Sequence, residues 1–215
     1  MKVRTFKAVV AGCGGQGVLS ATKVLGDAAR MEGIPLRAGQ IHGLAQRGGM
    51  VEGTLVMGPG RTGFVGPGQA DLVLGLEPLE TQRTLSRMSS ETRVLLNPKP
   101  IPLALLAWLG RDYPSLEDIL SHIRAITPHV WTLDATLLSE QIGNPKVQNV
   151  VMLGGLATLG LLPFSEESLQ KAIDQMSPPR FFELNHQAFD LGRSTMAKHL
   201  QTGSRSTITG HTAPP

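Results

Sequence analysis

Short apolar runs alternate with amphipathic stretches over the first two thirds of the chain, and only amphipathic or apolar stretches of helical period follow. This pattern predicts an α/β fold, a three-layer α/β/α sandwich with a mostly parallel, Rossmann-like sheet. The predicted strands are 8–11, 34–38, 50–56, 71–76, 92–96 and 129–133. The predicted helices are 18–30, 78–88, 115–126, 134–142, 147–161, 165–176 and 180–198.

The 215 residues suit one domain, which we predict to span residues 1–200. Residues 201–215 contain Ser, Thr, Gly and Pro but almost nothing that builds a core. We therefore predict a disordered C-terminal tail there.

A glycine-rich turn joins the first predicted strand to the first predicted helix. Gly12, Gly14 and Gly17 fit the pattern G-x-G-x-x-G, with Gly15 and Gln16 inside it. Glycines let an anion approach the backbone, and the unpaired N–H groups of the following helix attract it. The turn therefore predicts an anion-binding or interface-forming site, the alternative being a tight turn without a ligand.

A dinucleotide site of the Rossmann type would also need an acidic residue at the end of the second strand. We expect that end at Arg37-Ala38-Gly39-Gln40, where no carboxylate is present. This absence argues against NAD.

A second polar, glycine-rich stretch, residues 39–49, lies between two predicted strands. It contains His42, Gln46, Arg47, Gly48 and Gly49. Backbone N–H groups and an arginine together favour an anion. A solvated loop whose glycines only serve the turn is an equally good interpretation.

Glu77 follows the predicted strand 71–76 directly, at the strand's carboxyl end, where α/β folds bind their ligands. We include it among the candidate substrate-binding residues. The competing interpretation is a cap for the helix that begins at Pro78.

Composition excludes several classes of function. Aromatic residues make up only 4% of the chain and the net charge is +3, so a nucleic-acid surface is not expected. A single cysteine, Cys13, rules out an iron–sulfur cluster held by this chain alone. We predict no metal site, no membrane span and a cytoplasmic location, and no catalytic residue is identified.

Several motifs, taken in order, resemble the gamma-type domain of the 2-oxoacid:ferredoxin oxidoreductases, in the form seen in the beta subunit of indolepyruvate:ferredoxin oxidoreductase. The resemblance covers about residues 6–193 and rests on segments 12–18, 42–49, 76–80, 133–136, 143–150 and 183–185. Cys13 is a departure, since an aliphatic or other small residue is expected there.

The resemblance implies the small subunit of an enzyme that oxidatively decarboxylates a 2-oxo acid with coenzyme A, giving acyl-CoA, CO2 and reduced ferredoxin. Thiamine diphosphate, Mg2+ and iron–sulfur clusters are expected in the large alpha subunit, with none bound by this chain alone. A hetero-oligomer is implied, with ferredoxin as electron acceptor. The competing hypotheses are a stand-alone nucleotide-binding module and an assembly module without ligand contact.

Carried onto this sequence, the resemblance places the loops 12–17 and 42–49 against the active site of the large subunit. Arg47 and the loop N–H groups would then hold an anionic group. That group is either the carboxylate of the 2-oxo acid or a phosphate of coenzyme A.

Overall fold

A computed structural model describes residues 5–43, 49–101 and 112–202. The strands are β1 (Phe6–Cys13), β2 (Leu36–His42), β3 (Met50–Met57), β4 (Leu72–Gly75), β5 (Arg93–Leu96) and β6 (Val130–Thr132). The helices are α1 (Val18–Met31), α2 (Pro78–Gln82), α3 (Leu116–Arg124), α4 (Ala135–Gln141), α5 (Gln148–Thr158), α6 (Glu166–Met176) and α7 (Phe182–Gln201). Short 3-10 turns occupy Leu85–Arg87, Pro145–Val147 and Pro179–Phe181.

The six strands form one sheet in the order β2-β3-β1-β4-β5-β6. Strands β1, β4, β5 and β6 pair in parallel, whereas β3 pairs antiparallel with both β1 and β2. Five strands therefore run in one direction and β3 alone is reversed, which confirms the mostly parallel sheet.

Helices cover both faces of this sheet, as the three-layer prediction requires. One core packs alternate strand residues, such as Val10 and Leu74, against α1, α4, α5, α6 and α7. The other packs the intervening residues, such as Val9 and Val73, against α2 and α3. The central strands are apolar on both faces because each face is buried.

Local capping chemistry begins three helices where the sequence predicts. Three side chains each accept a hydrogen bond from the N–H group three positions later in the chain, namely those of Ser115, Asp134 and Ser165. These helix starts depend only on neighbouring residues, so they can be predicted from the local sequence.

Two predicted elements differ from the observed ones by more than the others do. Strand β2 begins and ends later than the predicted 34–38. It pairs with β3 over seven residues, from Leu36 opposite Met57 to His42 opposite Val51. The predicted helix 78–88 ends at Gln82, and a 3-10 turn follows it.

Helices α5 and α7 pack with their backbones almost in contact. A Cβ atom on Gly154 would lie 2.0 Å from the carbonyl oxygen of Phe189. One on Gly192 would lie 2.0 Å from the carbonyl oxygen of Val151. Only glycine permits this approach, so the predicted glycine-bearing helix is a close-packing element.

The predicted tail lies outside the described residues, and the membrane prediction can be compared only with the described helices. Gln201 is the last residue of α7, and residues 203–215 lie outside the described residues, so the disordered tail stays a prediction. Within the described ranges, every helix is too short or too polar to cross a bilayer.

Candidate functional site

A crevice of about 480 Å³ opens at the carboxyl ends of β1 and β2, beside the start of α1. We call it the glycine crevice. It is lined by Cys13, Gly14, Gly15, Gly17, Val18, Leu19, Ser20, His42, Gly43 and Val51. The structure thus brings the two predicted loops together, since the first supplies Gly14, Gly15 and Gly17 and the second supplies His42 and Gly43.

The start of α1 gives the glycine crevice its electrostatic character. Gly17 precedes the helix in the left-handed conformation, with φ of 83°, and no side chain of the described residues caps the helix start. The N–H groups of the first turn therefore stay available, and the positive end of the helix dipole faces the crevice. Such a helix start favours an anionic group.

Backbone hydrogen bonds tie the second loop to the glycine turn. The Gly14 N–H donates to the carbonyl oxygen of Gly49 over 2.9 Å, and the Gly43 N–H donates to that of Met50 over 3.0 Å. Gly43 and Gly49, which flank segment 44–48 in the chain, are thereby held beside the glycine turn and β3. Gln46, Arg47 and Gly48 lie outside the described residues, so their part in the site stays a prediction.

Two predicted site residues face inward and support the turn. Gly12 is a buried residue of β1. The Gln16 side chain is buried, accepts from the Cys13 N–H over 2.7 Å and donates to the carbonyl oxygen of Leu76 over 2.8 Å. Gln16 therefore fixes the turn to the end of β4, and the crevice is lined by the turn's backbone.

Glu77 does not reach the glycine crevice, so we do not carry forward its predicted substrate-binding role. Its side chain is fully buried and caps α2 by accepting from the Glu80 N–H over 2.9 Å. The other carboxylate oxygen accepts from the Ile101 N–H and the Tyr113 hydroxyl. The capping interpretation is the one the structure supports.

A buried polar cluster lies behind the turn, formed by Cys13, Glu77 and Glu80. Their ligand atoms lie within 4.8 Å of one another, a spacing that a metal ion accepts, and the expectation of no metal stays a prediction. Burial raises the pKa of Glu80, against the opposing effect of Arg83. Burial, with the charges of Glu77 and Glu80, also raises the pKa of the Cys13 thiol from 9.0 to about 12.

The raised pKa predicts that the native Cys13 thiol is nearly inert. At pH 8 the folded protein holds roughly a thousandfold less thiolate than a thiol with a pKa of 9.0, and the thiolate is the reactive species. We expect a thiol-disulfide reagent to label the native chain very slowly and the urea-unfolded chain fast. Because Cys13 is the only cysteine, one absorbance trace reports it, and Cys13→Ala gives the baseline. Fast labelling of the folded chain would contradict the burial.

Six residues of the crevice were absent from the sequence-based set, namely Cys13, Val18, Leu19, Ser20, Gly43 and Val51. Leu19 is 42% exposed in the first turn of α1. Its signal in the sequence is an apolar residue directly after the glycine turn. Val51 reaches the crevice only because β3 pairs beside β1, opposite Gly12, which no local pattern encodes.

The sheet order also bears on the dinucleotide hypothesis. In a Rossmann fold the second strand lies next to the first. Here β3 separates β2 from β1, and β2 ends at His42 and not near Arg37. The sequence argument therefore examined the wrong strand end, although His42 supplies no carboxylate either.

Comparison with known proteins identifies relatives along nearly the whole chain. A family model described as pyruvate ferredoxin/flavodoxin oxidoreductase matches residues 7–195. The indolepyruvate oxidoreductase subunit IorB of Methanothermobacter thermautotrophicus is 34% identical over 90% of this chain and 98% of its own length. The corresponding protein of Archaeoglobus fulgidus is 34% identical over 86% of this chain and 92% of its own.

Solved structures share the fold at lower identity. The gamma subunit of a keto/oxoacid ferredoxin oxidoreductase from Geobacter sulfurreducens has a TM-score of 0.65 at 21% identity, covering 90% of this chain and 99% of that one. The pyruvate oxidoreductase subunit PORC of Thermotoga maritima has a TM-score of 0.65 at 22% identity, covering 89% and 97%. These likenesses support the α/β sandwich.

Proposed function

This chain belongs to the pyruvate ferredoxin/flavodoxin oxidoreductase family, and from that premise we propose that it is the small subunit of an oxidoreductase that acts on indolepyruvate or another arylpyruvate. The assembled enzyme would decarboxylate the 2-oxo acid oxidatively with coenzyme A, giving acyl-CoA, CO2 and reduced ferredoxin. The aryl substrate class is supported by the relatives named as indolepyruvate oxidoreductase subunits.

The observation that carries this proposal is the glycine crevice. It is a concave site at the carboxyl end of the sheet, with uncapped N–H groups on one side and the exposed Leu19 beside them. Those N–H groups would bind a carboxylate or a phosphate, and Leu19 would contact either an apolar part of the ligand or the partner chain. A 2-oxo acid and coenzyme A both carry such an anionic group.

The redox chemistry belongs to a partner in this proposal. One buried cysteine supplies at most one of the four thiolates of an ordinary iron–sulfur site. Thiamine diphosphate, Mg2+ and iron–sulfur clusters would therefore be held by the large subunit and supply decarboxylation and electron transfer there. This chain would bind and orient the anionic group and exclude water from it.

The proposal predicts that Arg47→Ala weakens substrate binding in the reconstituted complex. Loss of one charge-assisted hydrogen bond costs about 1.5–3 kcal/mol, so the KM for coenzyme A or the 2-oxo acid should rise about 10- to 100-fold. Steady-state kinetics with each substrate varied in turn would show which one Arg47 holds. Arg61→Ala is the matched control. Arg61 follows the end of β3, which pairs with the start of β1 and so lies at the opposite end of the strands from the glycine crevice. Unchanged KM values for both substrates would remove Arg47 from the site.

Reconstitution also separates the proposal from its alternatives. The chain alone should not oxidise arylpyruvates, whereas the chain together with a large cysteine-rich subunit from the same host should. If the chain supports turnover but substitutions in the glycine crevice leave the KM of both anionic substrates unchanged, it would be an assembly module. A chain that binds NAD with micromolar affinity would be a nucleotide-binding module.

A further inference from the structure

Three buried side chains that can bind a metal ion converge where β1 ends and α2 begins. Cys13 is the last residue of β1, Glu77 caps α2, and Glu80 lies in the first turn of α2. The Sγ atom and one carboxylate oxygen of each glutamate lie within 4.8 Å of one another. We call these three residues the Cys13 cluster. Each of them is at most 1% exposed, so water does not screen the charges that they carry.

An unpaired oxygen of Glu80 is the observation that points to a ligand. Its Oε1 atom accepts from Arg83 over 2.9 Å, whereas its Oε2 atom is buried and has no hydrogen-bond partner among the described residues. A buried carboxylate oxygen is ordinarily paired, because an unpaired one has lost its water without compensation. Since Arg83 holds Oε1, Oε2 is the oxygen that remains for a ligand of the cluster.

Hydrogen bonds already orient the carboxylate of Glu77. It accepts from the N–H groups of Glu80 and Ile101 and from the hydroxyl of Tyr113. A carboxylate has about four lone-pair positions, so these donors leave one position for a metal ion. Outer hydrogen bonds of this kind accompany most metal-binding carboxylates, since they fix the direction of the ligand oxygen.

The charges of the Cys13 cluster match a divalent cation. Two carboxylates and a thiolate carry three negative charges, of which Arg83 offsets one. Without a metal, burial and the two glutamates raise the pKa of the thiol and keep it protonated. A divalent ion would reverse this, because a coordinating thiol is deprotonated outright and the remaining two charges are then balanced.

The donor atoms select the class of ion. Mg2+ and Ca2+ take oxygen ligands, whereas Zn2+ and its spectroscopic substitute Co2+ accept sulfur together with carboxylate oxygen. Three protein ligands and one further position make up an open zinc site. Cys13 also lines the glycine crevice, and that side offers water or a ligand group to the fourth position.

We propose that Cys13, Glu77 and Glu80 form a binding site for a divalent cation of the zinc class. The ion joins the end of β1 to the start of α2 and stabilises the fold behind the glycine turn. This chain alone makes the site, which is distinct from the Mg2+ expected in the large subunit. The site therefore goes beyond the proposed reaction and is tested independently of it.

Titration of the untagged full chain with Co2+ in thiol-free buffer tests the site, because cobalt bound to a thiolate gives a charge-transfer absorption in the near ultraviolet. Cys13 is the only cysteine of the chain, so this absorption reports a single site. We expect it to saturate at one Co2+ per chain and to disappear when Zn2+ displaces the cobalt. Cys13→Ala should lose the absorption entirely.

Glutamate variants separate a built site from binding to the thiol alone. Glu80→Gln should raise the Kd of Co2+ about 100-fold, since loss of even an outer partner of a metal ligand costs about 10- to 100-fold in affinity. Tyr113→Phe removes only a hydrogen bond that orients Glu77, so it should raise the Kd about tenfold. Glu167→Gln is the matched control, because Glu167 is exposed on α6 and pairs with Lys171, and it should leave the Kd unchanged.

Stability gives a second measurement. Zn2+ should raise the Tm of the wild-type chain but not that of Cys13→Ala, because an ion that binds only the folded state stabilises it. The proposal is overturned if Co2+ gives no thiolate absorption, if the absorption does not saturate at one equivalent, or if Glu80→Gln and Glu167→Gln bind Co2+ alike. Where Glu80→Gln does not fold, a wild-type Kd in Tyr113→Phe overturns it.

Discussion

Leu19→Asp is expected to lower kcat/KM of the reconstituted enzyme by about 100-fold while leaving the isolated chain folded. Leu19 lines the glycine crevice beside the uncapped start of α1. A carboxylate about 5 Å from a bound anion costs about 3 kcal/mol at an effective dielectric constant of about 20, which corresponds to about 100-fold in binding. The measurement is kcat/KM with coenzyme A and the 2-oxo acid each varied.

The same substitution should not harm folding, because an acidic residue in the first turn of a helix is favourable by about 0.3–1 kcal/mol. Thermal unfolding of the isolated chain should give an unchanged or slightly higher Tm. Leu137→Asp is the matched control, since Leu137 is 50% exposed in the first turn of α4, after the last strand β6. If both variants keep full activity, the crevice does not bind the anionic substrate group.

Gly154→Ala is expected to cause a large loss of stability for the addition of a single methyl group. The new Cβ atom would lie 2.0 Å from the carbonyl oxygen of Phe189, far inside van der Waals contact, and backbone atoms of α7 cannot rotate away as a side chain does. Helix α7 would have to move, which would open the core that it shares with α5. We expect a loss of more than about 3 kcal/mol in the free energy of unfolding, measured by urea denaturation.

Gly33→Ala is the control for this variant. Gly33 has a φ of 71° and an open surrounding, so its alanine variant carries only the left-handed backbone penalty of about 1–2 kcal/mol. A Gly154→Ala protein that unfolds at the same urea concentration as Gly33→Ala would show that α5 and α7 are not in close contact in solution.

The glycine crevice presents mostly backbone, and this affects how its chemistry is tested. Gln16 and Glu77 look like ligand-binding side chains in the sequence, yet both form hydrogen bonds inside the protein. They hold the ends of β1 and β4 in register with the turn, while the available N–H groups follow Gly17. Substitutions of Gln16 or Glu77 would therefore change the structure of the loops, and any effect on binding would be indirect.

The sequence by itself determined the elements whose causes are local. The caps Ser115, Asp134 and Ser165 each satisfy an N–H group three residues away, so a short window is enough to place those helix starts. The alternation of apolar runs likewise predicted the three-layer sandwich, and the ordered motifs indicated the family. Cys13, as the only cysteine of the sequence, already excluded an iron–sulfur cluster held by the thiolates of this chain alone.

Only the tertiary structure decided which of the candidate residues line the glycine crevice. Strand β3 pairs antiparallel between β1 and β2, which puts Val51 and His42 beside the glycine turn. Asn149 likewise packs against Gly17, 132 positions earlier in the chain. Such contacts follow from strand order and helix packing, which balance interactions over the whole chain, so no local pattern of residues encodes them.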